Sequence, residues 1–290
     1  MKMLGKTTKI LFFSIALFGC LFTCSGEAFS QAADKYESHA ADLRTKLKGR
    51  DFTVVVEKPF IVVGDDTEGR VNQWAEDVVR GTVDRLKQDF FKRDPDNILE
   101  IWLLKDEASY RKHAKEFFND EPDTPYGYYS PSKKALIMNI ATGGGTLVHE
   151  IVHPFMEVNF PDCPAWFNEG MGSLYEQSGT VDGHIYGYTN WRLEGLRTGL
   201  KKKVVPTFKV LTAMSDTEFY REATGTNYSQ SRYLLYYLQE KELLVRFYKK
   251  CTANAKTDPT GYKTLQTILG ERDMAAFQRR WEAFVMKLVY

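Results

Sequence analysis

Histidine is scarce in this chain, with five in 290 residues: His39, His113, His149, His153 and His184. Cysteine is scarcer still, and two of its four copies, Cys20 and Cys24, fall in the first thirty residues. The other two, Cys163 and Cys251, allow at most one disulfide, and the spacing leaves bonded and free forms equally open. No segment after residue 30 is apolar enough to cross a membrane, which excludes an integral helical membrane protein. No basic stripe with interleaved aromatics occurs, which argues against nucleic acid as partner. Internal repeats and low-complexity tracts are absent, and strand signals almost vanish after residue 141.

What is present is a globular composition, 43% hydrophobic and 27% charged, in a chain long enough for one large domain or two small ones. Residues 1–30 have the pattern of a signal peptide. Lys2, Lys6 and Lys9 precede an apolar run from Ile10 to Phe22, and Ala28-Phe29-Ser30 places small residues for cleavage after Ser30. Leu17-Phe18-Gly19-Cys20 competes with this reading, because it is similar to a bacterial lipobox that would lipidate Cys20 and tether the chain. Either way the expectation is an exported protein, periplasmic or secreted, or lipid-anchored. Removing three Lys and one Glu from 39 basic and 38 acidic residues leaves a formal charge of −1.

Residues 31–140 read as a mixed α/β unit. Tyr36 to Leu47 has a helical pattern. Thr53–Val56 and Phe60–Val63 read as strands turning at Pro59, and Val71 to Phe90 repeats at helical spacing over about 68–91. Ile98–Leu104 is a strand, and Asp106 or Glu107 opens a helix through Phe117. Tyr126–Tyr129 and Ala135–Ile140 are strands around a Ser130–Lys134 turn. Residues 141–290 read as all-helical, with helices expected at 143–157, 164–177, 190–198, 227–239, 241–252 and 273–288. The fold class is therefore α+β, a mixed subdomain followed by an all-α one.

At the junction stands His149-Glu150-Ile151-Val152-His153. On a helix, residues four apart share a face, so the two imidazoles can point at one metal ion. Glu150 lies about 100° round the helix and can reach a water on that metal. Two nitrogen ligands, a carboxylate base and an open position are what a zinc hydrolase needs. The alternative is an amphipathic helix with two partly buried histidines, but a chance match is uncommon where His is this rare. A catalytic zinc takes three protein ligands. Pro161 and Pro164 break the chain downstream, and Glu169 follows about one turn into the next helix, where it can complete the set. Glu157 is the rival, a full turn beyond the two His. Asn168 is expected to tune Glu169, and Cys163, between the ligands, to be a small packing residue.

The pair His149-Glu150-Ile151-Val152-His153 and Trp166-Phe167-Asn168-Glu169-Gly170 resembles the gluzincin metallopeptidases, the peptidase MA-like group related to thermolysin and the zinc aminopeptidases. The resemblance covers most of residues 50–285. It implies a zincin-like fold, Zn²⁺ on His149, His153 and Glu169, and Glu150 as general base. Tyr228–Leu238 resembles the aminopeptidase segment that begins with the tyrosine stabilising the tetrahedral intermediate, which implies Tyr228 as oxyanion donor, with His184 as a weaker alternative. The aminopeptidase segment that grips a free amine has no counterpart, since Met138-Asn139-Ile140-Ala141-Thr142-Gly143 stands there. The resemblance thus points to an endopeptidase acting on peptide or protein, with Ala135–Ile140 as the strand edge that receives the substrate. A non-catalytic envelope or binding protein, and a hydrolase of a non-peptide amide, are the competing readings.

Overall fold

A computed structural model describes the backbone of residues 24–290 apart from 222–224, and side chains from Lys35 onward. The expected apolar run Ile10–Phe22 and Cys20 lie outside the described residues. The expected cleavage point after Ser30 falls within the first helix, α1 (Cys24–Lys46).

A five-stranded mixed sheet forms one layer of the molecule. β1 (Thr53–Glu57) pairs antiparallel with β2 (Phe60–Gly64) through the turn at Pro59. The expected long helix follows as α2 (Glu68–Gln73), a π-helical stretch (Trp74–Arg80) and α3 (Gly81–Asp89). It crosses back to β3 (Leu99–Leu104), which lies parallel to β2. Asp106 caps α4 (Glu107–His113) by accepting from the Ser109 N–H, as its position after the strand suggests. β4 (Gly127–Ser130) and β5 (Ala135–Asn139) then form an antiparallel pair, with β5 parallel to β3.

Both sheet faces are covered, and strand alternation decides which side chain goes where. Phe60, Val62, Ile101, Leu103, Leu136 and Met138 face the larger core with α2, α3 and the C-terminal helices. Ile61, Val63, Trp102, Leu104, Ala135 and Ile137 face the smaller core with α1 and α4. The larger core runs without a break from residues of the first half into those of the second.

The strand order is β1-β2-β3-β5-β4, and this corrects one expectation. Ala135–Ile140 is not an edge. β5 is flanked on both sides and every residue in it is buried, as a continuous apolar run requires of an inner strand. The edge strands are β1 and β4, and the shorter, more polar sequence of β4 suits half-exposure.

The second half is built on α5 (Gly145–Asn159) and α6 (Ala165–Tyr175). It is not all-helical. β6 (Ser178–Val181) and β7 (His184–Gly187) form a hairpin that the sequence reading misses. Its turn, Asp182-Gly183, has φ of 49° and 81°, the two left-handed residues of a tight hairpin loop. The Asp-Gly pair was the available signal, and four-residue strands carried too little alternation to support it. Among the described residues seven more helices follow: α7 (Arg192–Lys201), α8 (Phe208–Ala213), α9 (Asp216–Tyr220), α10 (Thr226–Glu240), α11 (Leu244–Asn254), α12 (Tyr262–Leu269) and α13 (Met274–Lys287). Of these, α8, α9 and α12 are too short to show helical periodicity in sequence.

Phe155 of α5 anchors the helix to the sheet. Its ring lies 6.2 Å from Phe60 and stacks at 5.3 Å on Phe91. Phe155→Ala should cost about 3–5 kcal/mol in a urea unfolding titration. Met286→Ala, at a 41% exposed position, should cost less than about 0.5 kcal/mol.

Candidate metal centre

α5 is amphipathic in the way its sequence requires. Leu147, Val148, Ile151, Val152, Phe155 and Met156 fill the core, and His149, Glu150 and His153 occupy the other side. The two imidazole rings lie 4.9 Å apart. Pro154, immediately after the second His, cannot donate to the Glu150 carbonyl one turn back.

α6 lies between α5 and α10, and glycines set the spacing. A Cβ on Gly172 would stand 2.9 Å from Nε2 of His149, and one on Gly170 would stand 3.0 Å from Leu235 and 3.2 Å from Ser231. The close approach to α5 carries Glu169 to the histidines. Its Oε2 is 3.1 Å from His149 Nε2 and 3.9 Å from His153 Nε2. The three candidate ligand atoms all lie within 4.8 Å of one another. Ligand bonds of about 2.0–2.1 Å in tetrahedral arrangement put donor atoms roughly 3.3 Å apart, so this group can hold a metal ion. Glu150 Oε2 lies 4.0 Å from His153 Nε2, beside the same space.

The other ring nitrogens are also held, and this fixes which nitrogens face the centre. His149 Nδ1 is 3.0 Å from Glu176 Oε1, and His153 Nδ1 is 3.0 Å from Asn168 Oδ1. Asn168 therefore orients His153; the expected contact with Glu169 is replaced because the side chain turns toward α5. Glu176 is gripped by Arg192, with Nε and Nη2 at 2.8 and 2.6 Å, and by Asn190 Nδ2 at 3.1 Å. The hairpin makes this grip. Glu176 caps the end of α6 two residues before β6, and Asn190 and Arg192 follow β7. At the other side, the Gly145 backbone approaches so closely that a Cβ there would stand 2.5 Å from the Glu176 carbonyl oxygen.

Three carboxylates, the buried Glu169 and the half-buried Glu150 and Glu176, share this space with one guanidinium and two imidazoles. With both imidazoles neutral, as metal coordination requires, the balance is two negative charges, which a divalent cation would offset. Burial opposes charge on His149, but the hydrogen bonds to Glu169 and Glu176 outweigh it and lift its pKa to about 10. Burial likewise opposes ionisation of Glu169, and contacts with His149, His153 and Tyr220 overcome it and hold its pKa at about 2. Glu150 behaves differently. Burial raises its pKa, and neither histidine nor the Tyr129 backbone N–H fully reverses that. A carboxylate raised in this way holds a proton more readily than an ordinary one.

The chain matches no family model and no curated protein.

Of the expected residues, His149, Glu150, His153 and Glu169 come together. Glu157 is exposed, receives a hydrogen bond from Tyr129 Oη at 3.3 Å, and is not part of the group. His184 sits in the hairpin against Asp89 of α3, at 2.5 Å, rather than on the cluster. Cys163 and Cys251 are free thiols, and burial raises both pKa values, consistent with packing roles. Tyr228 is half-buried in the first turn of α10; burial and then the charge of Glu169 raise its phenol pKa. Four further residues were not anticipated: Glu176, Asn190, Arg192 and Tyr220. Tyr220 donates to Glu169 Oε1 at 2.8 Å and its ring lies 6.4 Å from that of Tyr228. It belongs to the five-residue α9, which left no periodic signal, and Glu176 and Arg192 are joined only by the hairpin.

Two outcomes test this arrangement. Glu176→Gln and Gly172→Ala should each weaken metal binding about 10–100-fold in a chelator competition, the first by freeing the His149 ring and the second by displacing it. A value within twofold of wild type for both would contradict the orienting role. The second outcome concerns pH. Burial raises Glu176, but Arg192 and His149 hold it at about 2, below its ordinary 4.5. Its contribution to stability is complete above about pH 4.5 and disappears as pH falls through about 2. Arg192→Met should cost about 3–5 kcal/mol and move the acid-unfolding midpoint, followed by circular dichroism, to higher pH.

Proposed function

We infer that the chain is an exported zinc-dependent metallopeptidase of gluzincin type with a zincin-like fold, cutting within extended peptides. The observation that carries this reading is the meeting of His149, His153 and Glu169 on one space, with the carboxylate Glu150 beside it. Two imidazoles and one carboxylate with an open position favour zinc over harder cations that prefer oxygen ligands. A zinc ion held there supplies Lewis acidity and makes a water acidic enough to lose its proton near neutral pH.

The chain's own groups do the rest. Glu150 accepts that proton at its carboxylate and delivers it to the leaving amine nitrogen. The hydroxyl of Tyr228 donates a hydrogen bond to the oxygen on which charge develops, and its raised pKa keeps it protonated. Tyr220 is occupied with Glu169 and holds that ligand in place. The edge strand β4 supplies the surface for substrate. It is antiparallel to β5, and its Tyr129 backbone touches Glu150, so a peptide added to this edge runs past the base. The chain has no counterpart of an amine-gripping segment, which favours cleavage away from a free N-terminus.

Glu150→Gln decides the matter. Hydrolysis of a mixed peptide library should fall by about 10²–10⁴-fold while zinc content by elemental analysis stays unchanged. Equal activity in both proteins would remove Glu150 as the base. Tyr228→Phe should lower kcat by about 10²-fold with little change in KM.

A further inference from the structure

A cavity of about 580 Å³ opens between α7 and the start of α10. It adjoins the metal centre through Arg192. That guanidinium grips Glu176 on one side and lies 5.4 Å from the Tyr228 ring and 4.4 Å from the Trp191 ring on the other. Trp191 is 61% exposed, whereas Trp102, Trp166 and Trp281 are fully buried. Arg192 thus backs an exposed indole and fixes its orientation while part of the ring stays in solvent.

The rest of the lining sets charged and hydroxyl groups of both senses among apolar surface. Glu194 on α7 and Lys202 just past its end make no ion pair among the described residues, one an acceptor and one a donor. Thr198 adds a hydroxyl, and Ser229, which donates to the Gly225 carbonyl, keeps lone pairs to accept. Gly195 is an exposed part of the lining, where a Cβ would meet nothing within 4 Å. Val204 is the one aliphatic side chain in the lining. A purely apolar side chain would cover the apolar part of the lining but leave the surrounding donors and acceptors without partners. A pyranose ring fits better. Its C–H face can lie on the indole, and its hydroxyls can meet the carboxylate, ammonium and hydroxyl groups around it.

We propose that this cavity is a sugar-binding subsite, so that the substrate is a peptide bearing a glycan. The proposal rests on the metallopeptidase reading for its catalytic half, but the subsite is tested without hydrolysis. Full-length protein is titrated calorimetrically with two probes, the β-1,4-linked trimer of N-acetylglucosamine and maltotriose, and with N-acetylphenylalanine amide as the apolar alternative. At least one saccharide should bind saturably. Trp191→Ala should weaken it about tenfold or more, and Trp191→Phe should restore most of the affinity. Gly195→Phe should abolish binding by filling the cavity, and circular dichroism and Tm report whether each variant is folded. Absence of saccharide binding, saccharide binding unaltered by Trp191→Ala and Gly195→Phe, or binding of the phenylalanine amide blocked by Gly195→Phe would overturn the proposal. Saccharide binding with wild-type activity equal to that of Glu150→Gln would overturn the catalytic reading and leave the subsite in place.

Discussion

The grip of Arg192 on Glu176 governs the direction of the His149 ring, and through it the shape of the centre. Two imidazoles buried beside three carboxylates would otherwise have several ways to satisfy their hydrogen bonds. Glu176 takes the outer nitrogen of His149 and Asn168 takes that of His153, so the remaining nitrogens converge. Without Arg192 and Asn190, Glu176 would be a half-buried carboxylate lacking its strongest partners, and it would compete poorly for that position.

This arrangement explains why the β6–β7 hairpin lies where it does. Glu176 ends the turn after α6, while Asn190 and Arg192 lie at the start of α7, sixteen or fewer residues later. A two-strand excursion closed by Asp182-Gly183 returns the chain to the same point. Asp89 of α3 secures the hairpin by accepting from the Ile185 N–H and contacting His184. Helix packing does the corresponding work for Glu169. Gly170 and Gly172 let α6 settle between α10 and α5, so backbone proximity brings Glu169 to the histidines.

Much of the architecture was readable from periodicity. Continuous apolar strands such as Phe60–Val63 and the long amphipathic stretch after Glu68 were found close to their expected bounds. Ala135–Ile140 was read as a strand but placed at an edge, because an apolar run reports burial and says nothing of its neighbours. Short elements were lost for a related reason: five residues of α9 or four of β6 do not complete enough periods to stand out.

The sequence by itself determined that His149 and His153 share a helix face, because helical periodicity is local and four residues suffice to express it. It also singled out Glu169 and Glu150 by residue type and spacing. Only the tertiary structure decided which nitrogens turn inward, that Glu157 stays outside, and that Tyr220 holds Glu169. It likewise joined Glu176, Asn190 and Arg192 into the support of His149. Those choices depend on which distant side chains can share a desolvated space without leaving a charge unpaired, and no spacing along the chain encodes that.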